Sequence, residues 1–162
     1  MNADERRSKE NEFIRRAIEL AVENVERGGG PFAALVVRDG IVIATGANQV
    51  TRTNDPTAHA EIVAIREACR VLGEFQLAGC DVYTSCEPCP MCLGALYWAR
   101  PSHVFYAAPK EDASGAGFDD SFIYEQMKTP PSERAIPMVR ILDEEAARPF
   151  EAWINKADKK SY

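Results

Sequence analysis

Histidine and tryptophan are scarce in this chain of 162 residues, which has two of each. No stretch approaches eighteen consecutive apolar residues, so no membrane-spanning helix is expected. Residues 1–9 are mostly charged and polar and lack an apolar core of the signal-peptide kind, which argues against secretion and for a cytoplasmic location. Basic charge is also short: 19 Lys and Arg stand against 25 Asp and Glu, a net charge of −6. A protein that grips a polynucleotide needs a positive groove to neutralise phosphates, so this balance favours a small neutral partner over nucleic acid. The five cysteines are too few for a disulfide scaffold, and Cys86, Cys89 and Cys92 are clustered. Clustered thiols in a reducing compartment read as metal ligands, with Cys69 and Cys80 as buried packing residues. There are no repeats and no low-complexity stretches.

What is present describes a globular α/β protein. Hydrophobic residues make up 46% and charged residues 27%, and the length fits one domain spanning residues 1–162. Ile14, Ala17, Ile18, Ala21 and Val25 recur at helical spacing and predict a helix over 8–27, stopped by Gly28-Gly29-Gly30. The apolar run 33–37 predicts a buried strand, and Asp39-Gly40 a hairpin into a second strand over 41–45. Residues 48–55 read as a polar loop. A helix carrying Ile62, Ile65, Ala68, Cys69 and Leu72 inward should stop near Gly73. A strand over 82–85, a helix from Cys89 to about Arg100 and a strand over 104–108 follow, and this alternation implies a parallel portion of the sheet. Residues 110–121 read as a loop and 122–127 as a short helix ending at Pro130-Pro131. Residues 138–142 are a candidate fifth strand that Pro137 limits. Residues 143–160 read as a helical tail broken at Arg148-Pro149, and its stripe of Phe150, Trp153, Ile154 and Ala157 needs a partner surface.

Two runs carry chemistry: Thr57-Ala58-His59-Ala60-Glu61, and Ser85-Cys86-Glu87-Pro88-Cys89-Pro90-Met91-Cys92. Together they read His-x-Glu and Pro-Cys-x-x-Cys, which resembles the signature of the zinc-dependent base deaminases. The residue types suit that chemistry. His59, Cys89 and Cys92 would supply three zinc ligands and leave a fourth position for water. Cys89 and Cys92 share a helix face, and a helix N-terminus, where Pro90 is tolerated, favours thiolates. His59 and Glu61 are two apart and can face one point only if His59 lies in an incompletely closed first turn, where Asp55-Pro56-Thr57 signals a helix start. Glu61 would not bind metal; it would take a proton from the activated water and return it to the base. A second reading uses Cys86 as a fourth ligand beside His59, Cys89 and Cys92, giving a closed structural zinc site without catalysis. His103 stands at a strand edge with no motif around it and reads as structural or solvent-facing, and Lys156, Lys159 and Lys160 as a solvated face.

The segments 54–61, 84–95, 97–100 and 117–124 resemble those of the bacterial guanine deaminases, within the cytidine deaminase-like superfamily, and the likeness runs from the first helix to Tyr162. The resemblance implies a three-layer α/β/α fold with a mixed five-stranded sheet flanked by helices. It also implies zinc-dependent hydrolysis of guanine to xanthine and ammonia, with one Zn2+ per chain. Carried onto matching positions, Asn48 and Asp120 would recognise the purine, and Phe32 and Trp98 would wall its ring. The tail 143–162 would be exchanged between the subunits of a homodimer, with Tyr162 reaching the partner's site. Each residue also has a plainer role: Asn48 in a turn, Phe32 and Trp98 in the core, Asp119 or Asp120 capping a helix. The competing functions are a related zinc deaminase acting on tRNA adenosine or on cytosine, and a structural zinc module.

Overall fold

The first helix, α1 (Ala3–Glu26), begins at a capping box. The Asn2 side chain accepts from the Glu5 main-chain N–H at 2.8 Å, and the Glu5 carboxylate accepts from that of Asn2 at 3.0 Å. These reciprocal bonds satisfy two donors that a helix end leaves open, so the helix starts five residues before the predicted residue 8. It ends at Gly28, whose φ of 82° an L side chain rarely adopts. The computed structural model describes residues 2–141 and 145–162, and the chain divides into two units, Met1–Asp120 and Ser121–Tyr162.

In the first unit, β1 (Ala33–Arg38) pairs antiparallel with β2 (Ile41–Ala47), through a turn in which Asp39 and Gly40 both have positive φ. That backbone matches the twist of the strands it joins. On its other side β1 pairs antiparallel with β3 (Cys80–Cys86), and β3 pairs parallel with β4 (His103–Ala108), giving the order β2-β1-β3-β4. The parallel step is bridged by α4 (Pro90–Ala99).

The uninterrupted apolar run of β1 is explained by helices on both faces. Leu35 and Val37 pack with Tyr83 against Ala17, Phe13 and Leu20 of α1. Ala34 and Val36 pack with Val82 against Ala60, Ala64 and Ala68 of α3 (Ala60–Leu72) and Leu96 and Ala99 of α4. The expected three layers are therefore present. The approach of α3 to the sheet is set at Gly46, where a Cβ would lie 2.2 Å from the Ala60 carbonyl and 2.5 Å from the Ala64 nitrogen. No helix among the described residues is long and apolar enough to cross a membrane.

Several elements differ from expectation. The predicted loop 48–55 contains a short helix, α2 (Val50–Thr53), closed by Asn54 in the left-handed region. The predicted loop 110–121 contains α5 (Lys110–Gly115). In the second unit, α6 (Ser121–Lys128) precedes a 3-10 turn, Pro131–Glu133. The fifth strand is not formed: the sheet has four strands among the described residues, and 138–141 are irregular. Pro137 lacks an N–H, and that of Met138 donates to the Pro131 carbonyl at 2.9 Å, which leaves this segment folded back on its own turn. Leu142, Asp143 and Glu144 lie outside the described residues. The tail helix, α7 (Arg148–Asn155), is shorter than predicted and leaves Ala157 beyond it. Pro149 starts this helix instead of breaking it, because a first turn has no partner for the N–H that proline lacks.

Candidate active site

Two helix N-termini meet over the sheet. His59 is the N-cap of α3, with an extended backbone (φ −68°, ψ 156°), and Cys89 is the N-cap of α4 with nearly the same geometry (φ −64°, ψ 168°). An N-cap residue is not yet helical, so its side chain need not follow the helical rotation, and His59 and Glu61 can serve one point despite being two apart. Cys92 follows Cys89 inside the first turn, after Pro90.

His59, Cys89 and Cys92 form one group whose ligand atoms all lie within 4.8 Å of one another. His59 Nδ1 is 3.5 Å from both Cys89 Sγ and Cys92 Sγ. A tetrahedral zinc at ordinary bond lengths requires N–S edges of about 3.6 Å, so the three donors fit that ion in spacing and in chemistry. Cys86 falls outside the group. It is buried, its Sγ points to the Pro109 carbonyl at 3.9 Å, and burial pushes its thiol up to about 11. That placement goes against the closed four-ligand arrangement.

The three side chains share protons as one hydrogen-bonded group. The Cys89 thiol is drawn down to about 4, first by the hydrogen bond from Cys92 and then by His59. Cys92 is pushed up, because it donates to Cys89 and is buried. His59 is raised mainly by its bond to Cys89. Glu61 is only 6% exposed, and burial raises its carboxyl above the ordinary range. Its Oε2 lies 3.4 Å from Cys92 Sγ and its Oε1 3.5 Å from Thr84 Oγ1, which places it beside the clasp. Thr84 has no signature in the sequence; it is found only once β3 is paired, because alternation then turns it toward α3.

Around this centre the structure gathers most of the other candidates. Asn48 follows β2, is 9% exposed, and accepts from the Val50 N–H at 3.3 Å, so the turn role is real. Its main-chain N–H donates to the Phe32 carbonyl at 3.0 Å, and the next residue, Gln49, donates to the Ala58 carbonyl beside His59 at 2.9 Å. Phe32 is half-buried and meets Phe118 edge to face, with ring centroids 5.0 Å apart. Phe118 stands two residues before Asp120, whose carboxyl is raised by burial and then by the Cys89 thiolate. Phe118 therefore joins this group, and sequence reasoning gave it no role although it lies in the Gly117–Asp120 run. Trp98 is 63% exposed on α4, whose buried residues are Cys92, Leu96 and Ala99. Tyr162 is an exposed residue of the second unit. His103 pairs with Asp81 at 2.8 Å at the far end of the parallel strands and takes no part in the group.

Comparison with known proteins accords with this geometry. Residues 7–108 match the family model described as the cytidine and deoxycytidylate deaminase zinc-binding region. A guanine deaminase of Bacillus subtilis is 60% identical over 151 residues, covering 93% of this chain and 97% of that protein. The X-ray structure of guanine deaminase from the same organism superposes with a TM-score of 0.92 at 56% identity, covering 100% of this chain and 99% of the other. A tRNA-specific adenosine deaminase of Aquifex aeolicus is 42% identical over 96 residues, 59% of this chain and 64% of that protein. With a His/Cys/Cys clasp at two helix N-termini and a buried glutamate beside it, the chain belongs to the cytidine and deoxycytidylate deaminase family of zinc-binding enzymes.

Proposed function

We propose that this chain hydrolyses guanine to xanthine and ammonia, with one zinc per chain held by His59, Cys89 and Cys92. One observation carries the choice of guanine. The zinc-binding region shared across the family ends at residue 108, whereas the likeness to guanine deaminase continues over the remainder, where Asp120 and Tyr162 lie. The net charge of −6 also favours a neutral base over a tRNA.

The metal, when bound, supplies a water acidified to a pKa of about 7. Every other task falls to the chain. Glu61 takes one proton of the water on its carboxylate and delivers it to the ring nitrogen, then carries the remaining hydroxyl proton to the amino group, which departs as ammonia and leaves the carbonyl of xanthine. Its raised affinity for a proton, which follows from burial, suits a group that must accept and then return one. Asn48 hydrogen-bonds the purine edge, and Asp120 accepts from ring N–H groups that adenine and cytosine do not present in the same pattern. Phe32 packs against the ring face and Trp98 forms an outer wall.

The C-terminal segment 143–162 is exchanged between two copies of the chain, so that Tyr162 completes the partner's site in the cytoplasmic homodimer. The amphipathic α7 supports this reading, since Phe150, Trp153 and Ile154 are all exposed. It is tested by mixing a Glu61→Gln chain with a chain lacking residues 158–162. Exchange predicts recovered turnover, because the truncated chain's site receives an intact tail; no recovery would place the tail in its own site.

The function itself is tested by ammonia release from guanine, guanosine, adenine, cytosine and a tRNA, each offered to zinc-loaded protein. Guanine should be far ahead. Release only from tRNA or cytosine would keep the zinc chemistry and discard guanine, and silence on all five would return the site to a structural role.

A further inference from the structure

The Gly28-Gly29-Gly30 run does more than stop α1. At Gly29 a Cβ would lie 2.3 Å from Asn24 Nδ2, and at Gly30 one would lie 3.0 Å from the Asn48 side chain. Both positions are therefore hollowed for a neighbouring amide. Asn24 lies in the last turn of α1, on the buried side that Ala17 and Ala21 also occupy, and is only 4% exposed.

Its Nδ2 donates to the Gly30 carbonyl at 2.7 Å and to the Asn48 carbonyl at 2.9 Å. The Gly30 carbonyl also accepts from the Phe32 N–H at 2.9 Å, and the Phe32 carbonyl accepts from the Asn48 N–H at 3.0 Å. These bonds close a circuit: Asn24 to Gly30, Gly30 to Phe32, Phe32 to Asn48, and Asn48 back to Asn24. Every other link is main chain to main chain, so the two amide protons of Asn24 are the only side-chain element in it. A buried amide with both protons committed is a costly group to leave unpaired; of its two carbonyl partners, that of Gly30 keeps the Phe32 N–H when the amide is removed, whereas that of Asn48 loses the 2.9 Å bond.

We infer that Asn24 is a positioning residue for purine recognition: it locks the main chain of Asn48 and Phe32 into one arrangement, so that the Asn48 amide and the Phe32 ring meet guanine together. It touches neither substrate nor metal clasp. The inference rests on the guanine reading above. Its physical content is that loss of Asn24 loosens both contacts at once, which weakens substrate binding and leaves proton transfer by Glu61 intact.

The test is steady-state ammonia release from guanine by zinc-loaded wild type, Asn24→Ala, Asn48→Ala and the double variant, with zinc content measured for each. A Gly29→Ala variant keeps Asn24 but fills the hollow its amide occupies. Expected are a KM for guanine raised about tenfold or more in Asn24→Ala and in Gly29→Ala, kcat within about threefold of wild type, and full zinc. In the Asn48→Ala background the Asn24→Ala change should add less than it does alone, since one of the two contacts it positions is already removed and only that of Phe32 remains to be loosened. An unchanged KM, or a fall in kcat alone, would overturn the inference. So would an equal effect with and without Asn48, or loss of folded, zinc-loaded protein in both Asn24→Ala and Gly29→Ala, since each makes Asn24 a residue of stability. Wild-type protein inactive on guanine would instead overturn the substrate reading, which separates the two failures.

Discussion

Replacing Glu61 by Gln isolates one atom's worth of chemistry. The amide keeps the shape of the carboxylate, fits a site that is 6% exposed, and can still face Cys92 Sγ and Thr84 Oγ1, which lie 3.4 and 3.5 Å from its oxygens. What it loses is the capacity to accept a proton and give it back. Positioned acid–base catalysis contributes about 10²–10⁴, and in the proposed mechanism one group serves both transfers, so kcat should fall by about 10³–10⁴, or roughly 4–5.5 kcal/mol of barrier. Zinc content should not change, because Glu61 is not among the His59, Cys89 and Cys92 donors.

Stability gives an independent sign. Burial raises the Glu61 carboxyl above its ordinary 4.5, so from 4.5 upward to its folded value the folded state binds more protons than the unfolded one. Stability contributed by this group therefore falls as pH rises through that window and stays lowered above it. Metal-free Glu61→Gln protein should lose this dependence and gain on wild type more at pH 8 than at pH 4 in urea unfolding. The assays are ammonia release, metal analysis and urea titration at the two pH values. A Gln variant within tenfold of wild-type kcat would show that another group moves the proton, and loss of zinc would make Glu61 a ligand.

Three further outcomes follow from particular contacts. Gly46→Ala should destabilise by about 1–3 kcal/mol in urea unfolding and weaken zinc retention with it, because the added carbon meets Ala60 and Ala64 backbone in the turn that carries His59 and Glu61. If Asp120 is the purine acceptor proposed above, it accepts only as a carboxylate; its carboxyl is raised by burial, so the KM for guanine should climb as pH falls through that raised value, and Asp120→Asn should be weak at every pH and lose the dependence. A chelator should strip zinc more easily at pH 5 than at pH 8, since protons compete for the Cys89 and Cys92 thiolates, and the stripped protein should melt at a lower temperature.

The elements that could be read from the chain are those whose cause is local. The hairpin at Asp39-Gly40, the stop of α3 at Gly73 and the strand 33–37 each follow from residues within a few positions, and each stands where expected. The tail was harder because its signals are ambiguous by nature. Pro149 breaks a helix that is already running and begins one that is not, and only the absence of helix at 145–147 decides between them. The fifth strand misled for a related reason: Met138, Val139 and Ile141 have strand composition, yet strand pairing needs N–H groups pointed at a neighbour, and that of Met138 is used locally. Composition carries no record of where a donor points.

The site divides along the same line. The cluster of His59, Cys89 and Cys92, with Glu61 beside it, could be anticipated from the sequence because zinc chemistry demands particular side chains at particular spacings, and those demands leave letters behind. Thr84 and Phe118 could not, since nothing about a threonine in a strand or a phenylalanine in a loop announces a neighbour that is remote in sequence. Asn24 is the sharpest case. It sits on the same side of α1 as Ala17 and Ala21, where a lone polar residue looks like an interruption of the stripe and is passed over. Its partners are carbonyl oxygens, which every residue possesses, so no pattern of residue types could have pointed to Gly30 and Asn48. The glycines beside it had a sufficient explanation as a helix stop, and that explanation hid the hollow they make. Side chains whose type and spacing suit a chemistry are therefore the legible part of such a site, and groups that hold main chain in place become visible only when each buried donor is traced to its acceptor.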